Sequence, residues 1–235
     1  MQLSAIDIVK ILQNAGYQAY WAGGCVRDTL LGKTPKDFDI VTSAKPDQIE
    51  EIFEHSIPIG KKFGIIMVVH NGHHFEIATF RSDSGYSDGR RPDAIEFTTP
   101  EEDAKRRDFT INGLFLDPLT NQVLDFVEGQ SDLKLGLIKF IGNPTQRINE
   151  DHLRILRAVR FKNQLGFQYE PETYTALKQN AALVINKVSK ERIRDEINLM
   201  IKLPKPSVVF EELSHLGILE VILPELEALR GVAQP

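Results

Sequence analysis

A single cysteine, Cys25, occurs in the whole chain, so neither an intrachain disulfide nor a zinc cluster built on cysteines is available. That usage is what a reducing compartment predicts, and a cytoplasmic location is the expectation. No apolar run approaches the roughly 20 residues of a membrane-spanning helix. Near the start, Leu3, Ile6, Val9 and Leu12 fall at helical spacing, broken by Asp7 and Lys10, with Ser4 as the candidate cap. The continuous apolar core of a signal peptide is missing there. A surplus of positive charge is missing too: 28 Lys and Arg face 33 Asp and Glu, for a net charge of −5. This argues against bulk non-specific nucleic-acid binding, although not against a local basic groove. Zinc, haem and serine-hydrolase constellations are absent. What remains is 235 residues, 42% hydrophobic and 26% charged, a globular composition with room for one large or two small domains.

The most informative stretch runs from Tyr17 to Val41. It reads as a strand (Tyr17 to Trp21), the pair Gly23-Gly24 opening a helix, and a second strand carrying Asp37 and Asp39. A glycine pair at a helix start puts backbone N–H groups and the positive end of the helix dipole where phosphate could sit. Without side chains, phosphate can approach that backbone closely. Residues two apart on a strand point from the same face, so the two carboxylates converge. Such oxygen ligands suit Mg²⁺, which takes one or two carboxylates plus substrate phosphates. Each half alone is compatible with a plain turn and a solvated strand end. Together they point to phosphoryl or nucleotidyl transfer.

Further along, Asp47 to Glu54 reads as a short helix, with Pro46 suited to its first position. Asn71-Gly72 joins the apolar runs Ile65 to His70 and His74 to Phe80 as a hairpin. Glu76 in the second run is either an exposed residue on an antiparallel strand or a third carboxylate. The polar, glycine-rich stretch Arg81 to Asp93 reads as a mobile loop, Ile95 to Thr98 as a strand, and Thr99-Pro100-Glu101-Glu102 as a capped helix start. Lys105-Arg106-Arg107 would close that helix. Val123 to Gly129 reads as a strand ending at glycine, and Ile138 to Ile141 as a last short strand. Past Gly142 strand signals stop, and helical periods run over about 145–161, 171–184, 190–201, 206–216 and 218–223. The organisation expected is an α+β head with a mixed sheet over residues 1–142, then an all-helical neck and the start of a body over 143–235. At 3.6 residues per turn, Asp151, Arg154 and Arg157 fall about 60° apart on one helix face, with Ile155, Leu156 and Val159 opposite and Arg160 at the edge. Taken alone, Asp151 and Arg154 would be an i,i+3 ion pair on a surface helix.

Five stretches, in order, resemble the motifs of the class II (bacterial-type) tRNA nucleotidyltransferase and poly(A) polymerase family, over about residues 6–229. They are Gly23-Gly24-Cys25-Val26-Arg27-Asp28 with Asp37-Phe38-Asp39-Ile40, Arg106-Arg107-Asp108-Phe109-Thr110-Ile111-Asn112, Asp125 with Gly129, Glu150-Asp151-His152-Leu153-Arg154, and Ser189 to Glu196. Gly113 stands where the family usually has alanine, which touches local rigidity only. The resemblance implies a polymerase-beta-like nucleotidyltransferase head followed by a helical neck. It implies Asp37 and Asp39 as ligands of two Mg²⁺ ions, Glu76 as a third strand acid, and Gly23, Gly24 and Arg27 at the phosphates. It places Arg107 on the nucleotide, with Asp108 and Asn112 bracing the site and the sugar, while Asp125 and Gly129 are structural. Asp151 and Arg154 would read the base: an acceptor-only and a donor-only side chain satisfy the amine-plus-ring-nitrogen edge shared by C and A, and leave G and U mispaired. Arg157 and Arg160 would touch base or triphosphate, and Glu191, Arg192 and Glu196 would buttress the helix.

The activity so implied is template-independent addition of C and A, from CTP and ATP, to the 3′ end of tRNA. Addition of A alone and poly(A) synthesis share these motifs, and a non-catalytic RNA-binding relative is the remote alternative. The loop with Tyr86 and Arg90-Arg91-Pro92 argues against a C-only enzyme. Family members continue into helical body and tail regions, so this chain reads as a fragment, a compact variant or a catalytic core. Intact nucleotide binding with weakened tRNA binding is the expectation. No membrane or protein partner is implied.

Overall fold

The computed structural model describes residues 1–86 and 92–233. They divide into two compact units, the first comprising Met1–Ser84 and Ala94–Leu133, the second the remainder. In the first, α1 (Gln2–Asn14), β1 (Ala19–Ala22), α2 (Gly24–Leu30), β2 (Asp39–Thr42) and α3 (Pro46–Ile52) are followed by three strands, β3 (Ser56–Gly60), β4 (Ile65–His70) and β5 (His73–Thr79). A separate ladder of β6 (Arg81–Ser84) and β7 (Ala94–Phe97) precedes α4 (Pro100–Lys105), β8 (Leu114–Asp117), β9 (Gln122–Asp125) and α5 (Gly129–Leu135).

The main sheet has seven strands in the order β3-β4-β5-β2-β1-β8-β9. It is mixed, because β2 runs parallel to β5 while the other neighbours are antiparallel. Successive side chains alternate between two cores. Trp21, Ile40, Ile77 and Leu116 pack with Ala5, Ile8, Val9 and Leu12 of α1 and Ile49 of α3. Ala22, Val41 and Phe115 pack on the opposite face with Phe80 and Ala104 of α4. The hairpin between β4 and β5 turns on Asn71 and Gly72, both at positive φ (50° and 75°), as the tight turn there requires. Thr99 caps α4 by accepting from the Glu102 N–H.

The second unit holds β10 (Leu137–Ile138), α6 (Pro144–Glu150), α7 (Leu153–Leu165), β11 (Gln168–Tyr169), α8 (Pro171–Gln179), α9 (Val184–Lys187), α10 (Lys190–Ile201), α11 (Pro206–His215), α12 (Leu219–Ile222) and α13 (Pro224–Glu227). It is mostly helical, as expected, but not wholly so. Gly136 and Gly166, both at positive φ, turn the chain so that β10 and β11 pair in parallel, with the Gln168 N–H donating to the Gly136 carbonyl at 2.8 Å.

Several local expectations change. Ser4 is not a cap: α1 starts at Gln2, and Ser4 is buried within its first turn. Asp37 lies two residues ahead of β2 rather than on it. Arg81 to Ser84, expected in the loop, pairs with β7. Of that loop and its Arg90-Arg91, residues 87–91 lie outside the described residues. The expected helix over 145–161 is two helices, because Asp151 breaks it in an extended conformation (φ −149°, ψ 105°).

Asp125 and Gly129 are structural, and the reason is visible. The Asp125 carboxylate accepts the N–H groups of Val127 (3.1 Å), Gly129 (2.9 Å) and Gln130 (2.9 Å), which caps the start of α5. A Cβ on Gly129 would lie 2.2 Å from the Thr110 carbonyl oxygen, so only glycine lets α5 pack there. Gly129→Ala is therefore expected to lower stability by about 1–3 kcal/mol, read as a fall in the urea midpoint at unchanged slope.

Candidate active site

The site in the first unit follows from strand register. β2 pairs with β1 so that Asp39 stands opposite Ala22, and β1 pairs with β8 so that Ala22 stands opposite Phe115. On the other side of β2, Ile40 neighbours Ile77 of β5, so Glu76, one residue earlier, comes beside Asp39. Glu76, Asp39, Ala22 and Phe115 thus form one row on the face that carries α4. The Arg107 guanidinium lies over the Phe115 ring, 5.0 Å from its centroid.

Gly23 follows Ala22 immediately. Its backbone (φ 72°, ψ −127°) is in a region that only glycine enters freely, and its N–H donates to the Leu114 carbonyl at 3.1 Å. A Cβ there would also meet Arg107 Nη1 at 3.1 Å. The glycine pair therefore sits beside both the Arg107 cation and the Asp39 carboxylate. Although Asp39 remains solvent-accessible, surrounding protein strips water from its carboxylate and pushes its pKa up to about 6. Asp37 and Glu76 add to that rise, and Arg107 opposes it. Cys25, under the same loop, is inert: burial pushes its thiol up to about 12, with the Asp39 charge adding to it.

These acids are all hard oxygen donors. Among the described residues no three His, Cys, Asp or Glu side chains converge as a ready-made metal cage. A pair of carboxylates with crowded negative charge fits an ion that completes its shell with phosphate oxygens and water, the habit of Mg²⁺.

Arg27 is 4% exposed and turned inward. It donates to Asn112 Oδ1 (2.8 Å) and to Asp28 Oδ1 (2.9 Å). Asn112 in turn donates to Asp108 Oδ1 (3.1 Å), which also accepts the Phe109 N–H (2.8 Å). Arg27, Asn112 and Asp108 form one braced line below the glycine pair. Asp103, which no motif singled out, is fully buried. One of its oxygens takes Arg106, the other Arg107. Its only sequence signal is spacing, three and four residues before two arginines on a helix.

In the second unit Asp151 is placed by the break between α6 and α7, so it does not share one helical arc with Arg154 and Arg157. Its carboxylate accepts the Leu153 N–H at 3.1 Å and both terminal nitrogens of Arg192 at 3.1 and 2.8 Å. Arg154 Nη1 donates to Glu150 Oε2 (2.6 Å) and the Arg147 carbonyl (2.9 Å). Arg160 binds Glu196 through Nε (2.6 Å), Arg157 approaches the same carboxylate at 3.9 Å, and both arginines lie against the Phe161 ring. Arg192 and Glu196 buttress this arginine-rich helix. Glu191 does not join them, because its carboxylate is held by its own N–H and by Ser189 in the first turn of α10, which keeps its pKa low.

Two family models match the chain: the poly(A) polymerase head domain over residues 19–139, and the probable RNA and SrmB-binding site of polymerase A over residues 166–229. The CCA-adding enzyme of Lactobacillus helveticus is 46% identical over 195 residues, covering 83% of this chain and 48% of the relative. Among solved structures, the Bacillus stearothermophilus CCA-adding enzyme in complex with CTP superposes with a TM-score of 0.86 at 36% identity, covering 97% of this chain and 56% of that one. The Thermotoga maritima CCA-adding enzyme complexed with tRNA_CCA gives a TM-score of 0.77 at 25% identity, covering 94% and 52%. The chain thus spans about half the length of the relatives it matches. No helix among the described residues is long and apolar enough to cross a membrane.

The buried Asp103 has a consequence for stability. Burial favours its neutral form, but Arg107 and Arg106 outweigh that and hold its pKa below the ordinary aspartate value. A depressed carboxylate contributes stability above its unfolded pKa of roughly 4 and loses it as pH falls through the folded value. Asp103→Asn is expected to flatten the loss of stability below about pH 4, read by urea unfolding at a series of pH values.

Proposed function

The chain belongs to the poly(A) polymerase head-domain family, and from that premise we propose that it adds C and A nucleotides, from CTP and ATP, to the 3′ end of tRNA. The observation that carries this reading is the row Glu76–Asp39–Ala22–Phe115, with Arg107 laid over its end beside Gly23. It brings a carboxylate pair, a phosphate-tolerant backbone and a fixed cation together on one face. Gly23 and Gly24 admit the triphosphate against the backbone, with Arg27 shaping the floor beneath them. Arg107 neutralises phosphate charge, and the Asp108–Asn112 line orients the sugar.

Mg²⁺ ions held by Asp37 and Asp39, with Glu76 beside them, would activate the primer 3′-hydroxyl and stabilise the departing pyrophosphate. The bond from the primer 3′ oxygen to the α-phosphorus forms as that phosphorus loses its bond to pyrophosphate, and the hydroxyl proton leaves to water. In the second unit, Asp151 keeps acceptor capacity beyond its Arg192 bonds, since each carboxylate oxygen has two acceptor sites. With Arg154 it presents the acceptor and donor that the shared edge of C and A needs. Arg157 and Arg160 add positive charge to the same helix, α7, of the second unit. The work of such an enzyme is cytoplasmic.

The test is extension of a labelled tRNA transcript ending without CCA, with CC or with CCA, offered each nucleotide singly and then CTP with ATP. The expected result is addition of C, C and A to the first and of A to the second. Asp39→Ala and Asp37→Ala should each abolish it while the fold persists. Addition only to the CC-ended transcript would make the chain an A-adding enzyme, a long A ladder a poly(A) polymerase, and no addition a binding relative. Binding of tRNA itself should weaken steeply with salt, because the acceptor stem is gripped through its phosphates.

A further inference from the structure

We infer that Asp103 is a positioning residue for nucleotide recognition: it holds Arg107 in the one orientation that presents Nη1 to the glycine pair, and ties that orientation to strand β6. This rests on the nucleotidyltransferase reading, and it concerns a residue that touches neither substrate nor metal.

Asp103 Oδ2 accepts Arg107 Nε (3.2 Å) and Nη2 (3.0 Å). Those bonds engage one edge of a planar guanidinium, and a fork held on one edge cannot rotate. The Phe115 ring packs against the guanidinium, its centroid 5.0 Å from Cζ, and limits its movement on that side. Nη1 is left on the side of Gly23, where it would be 3.1 Å from a Cβ that glycine does not have. Arg107 is therefore a cation aimed at the space the glycines keep open.

The other oxygen of Asp103 faces the opposite way. Oδ1 accepts Arg106 Nε (2.9 Å), Arg106 Nη2 (2.7 Å) and the Arg81 N–H (3.2 Å). Arg106 Nε also reaches the Arg81 carbonyl at 3.0 Å, and Asp83 lies within 3.6 Å of Arg106 Nη1. The backbone of β6 at Arg81 is thus clamped on both its N–H and its carbonyl. One buried carboxylate couples the position of that strand to the aim of the nucleotide-facing arginine. An aspartate fully enclosed by protein is costly unless its bonds are complete, and here both oxygens are used.

The experiment is equilibrium binding of CTP with Mg²⁺ to the full chain, for wild type, Asp103→Asn, Arg107→Ala, Arg107→Lys and the double variant, with near-UV circular dichroism as the fold control. Asp103→Asn is expected to raise the Kd for CTP about tenfold. On the Arg107→Ala background it should add nothing, because its effect passes through Arg107. Arg107→Lys, which keeps the charge but loses the fork, should bind as weakly as Arg107→Ala, and it tests the claim even if Asp103→Asn does not fold. Wild-type-like affinity in folded Asp103→Asn or in Arg107→Lys would overturn the inference, as would full additivity in the double variant. A wild-type chain that binds no CTP would overturn the nucleotidyltransferase reading, and this inference with it.

Discussion

The pairing of β1 with β2 is the constraint on which the first unit depends. With Trp21 opposite Ile40 and Ala22 opposite Asp39, every apolar side chain of the two strands reaches one of two cores, and Asp39 emerges at the open end of the α4 face. A slip of one residue would exchange the faces, driving Asp39 under α1 and lifting Ile40 into the site. The far end of β2 is pinned against such a slip: the Thr42 hydroxyl donates to the Gln18 carbonyl at 2.7 Å. On the neighbouring β5, the Thr79 hydroxyl donates to the Ala44 carbonyl, also at 2.7 Å. Asp39 and Glu76 are placed by a packed sheet, so the position of these two carboxylates derives from the hydrophobic effect.

A second regularity concerns arginine. Buried or half-buried guanidinium groups recur in both units, and each has a named acceptor: Asn112 for Arg27, Asp103 for Arg107, Glu150 for Arg154, Glu196 for Arg160 and Asp151 for Arg192. An arginine in low dielectric is costly without such a partner. Its planar fork lets the partner take some of its nitrogens while the rest point elsewhere. Acidic residues outnumber basic ones in this chain, and part of that acidity is committed inside to hold arginines in place.

Local chemistry made much of this legible. Asn71-Gly72 announced its hairpin because both residues must take positive φ. The helical period over 190–201 marked α10 with the bounds the structure gives, Lys190–Ile201. Where local signals were thin, expectation and structure part. Leu114–Leu116 is a three-residue apolar run, too short to tell from a helical segment, yet it opens β8, which pairs between β1 and β9 in the sheet. Arg81–Ser84 is polar throughout, and only its partner β7 makes it a strand. Asp151 looked helical because helical periods flank it on both sides; its carboxylate instead caps α7 and binds Arg192 across 41 residues of sequence.

What the sequence determined by itself is the set of groups: the glycine pair, the aspartates two apart, the Arg-Arg-Asp run and the arginine-rich helix. Their order along the chain sufficed to indicate nucleotidyl transfer. Tertiary structure decided which of these groups meet. Asp39 gains Glu76 through a parallel pairing of β2 with β5, strands separated in sequence by α3, β3 and β4. Arg27 faces Asn112, not solvent, although 85 residues separate them. Asp103, marked in the sequence only by its spacing to two arginines, becomes the acceptor for both because it stands on the buried side of α4. Residue types are local information, whereas a carboxylate's neighbours and its degree of desolvation depend on strands and helices that only the folded chain brings together.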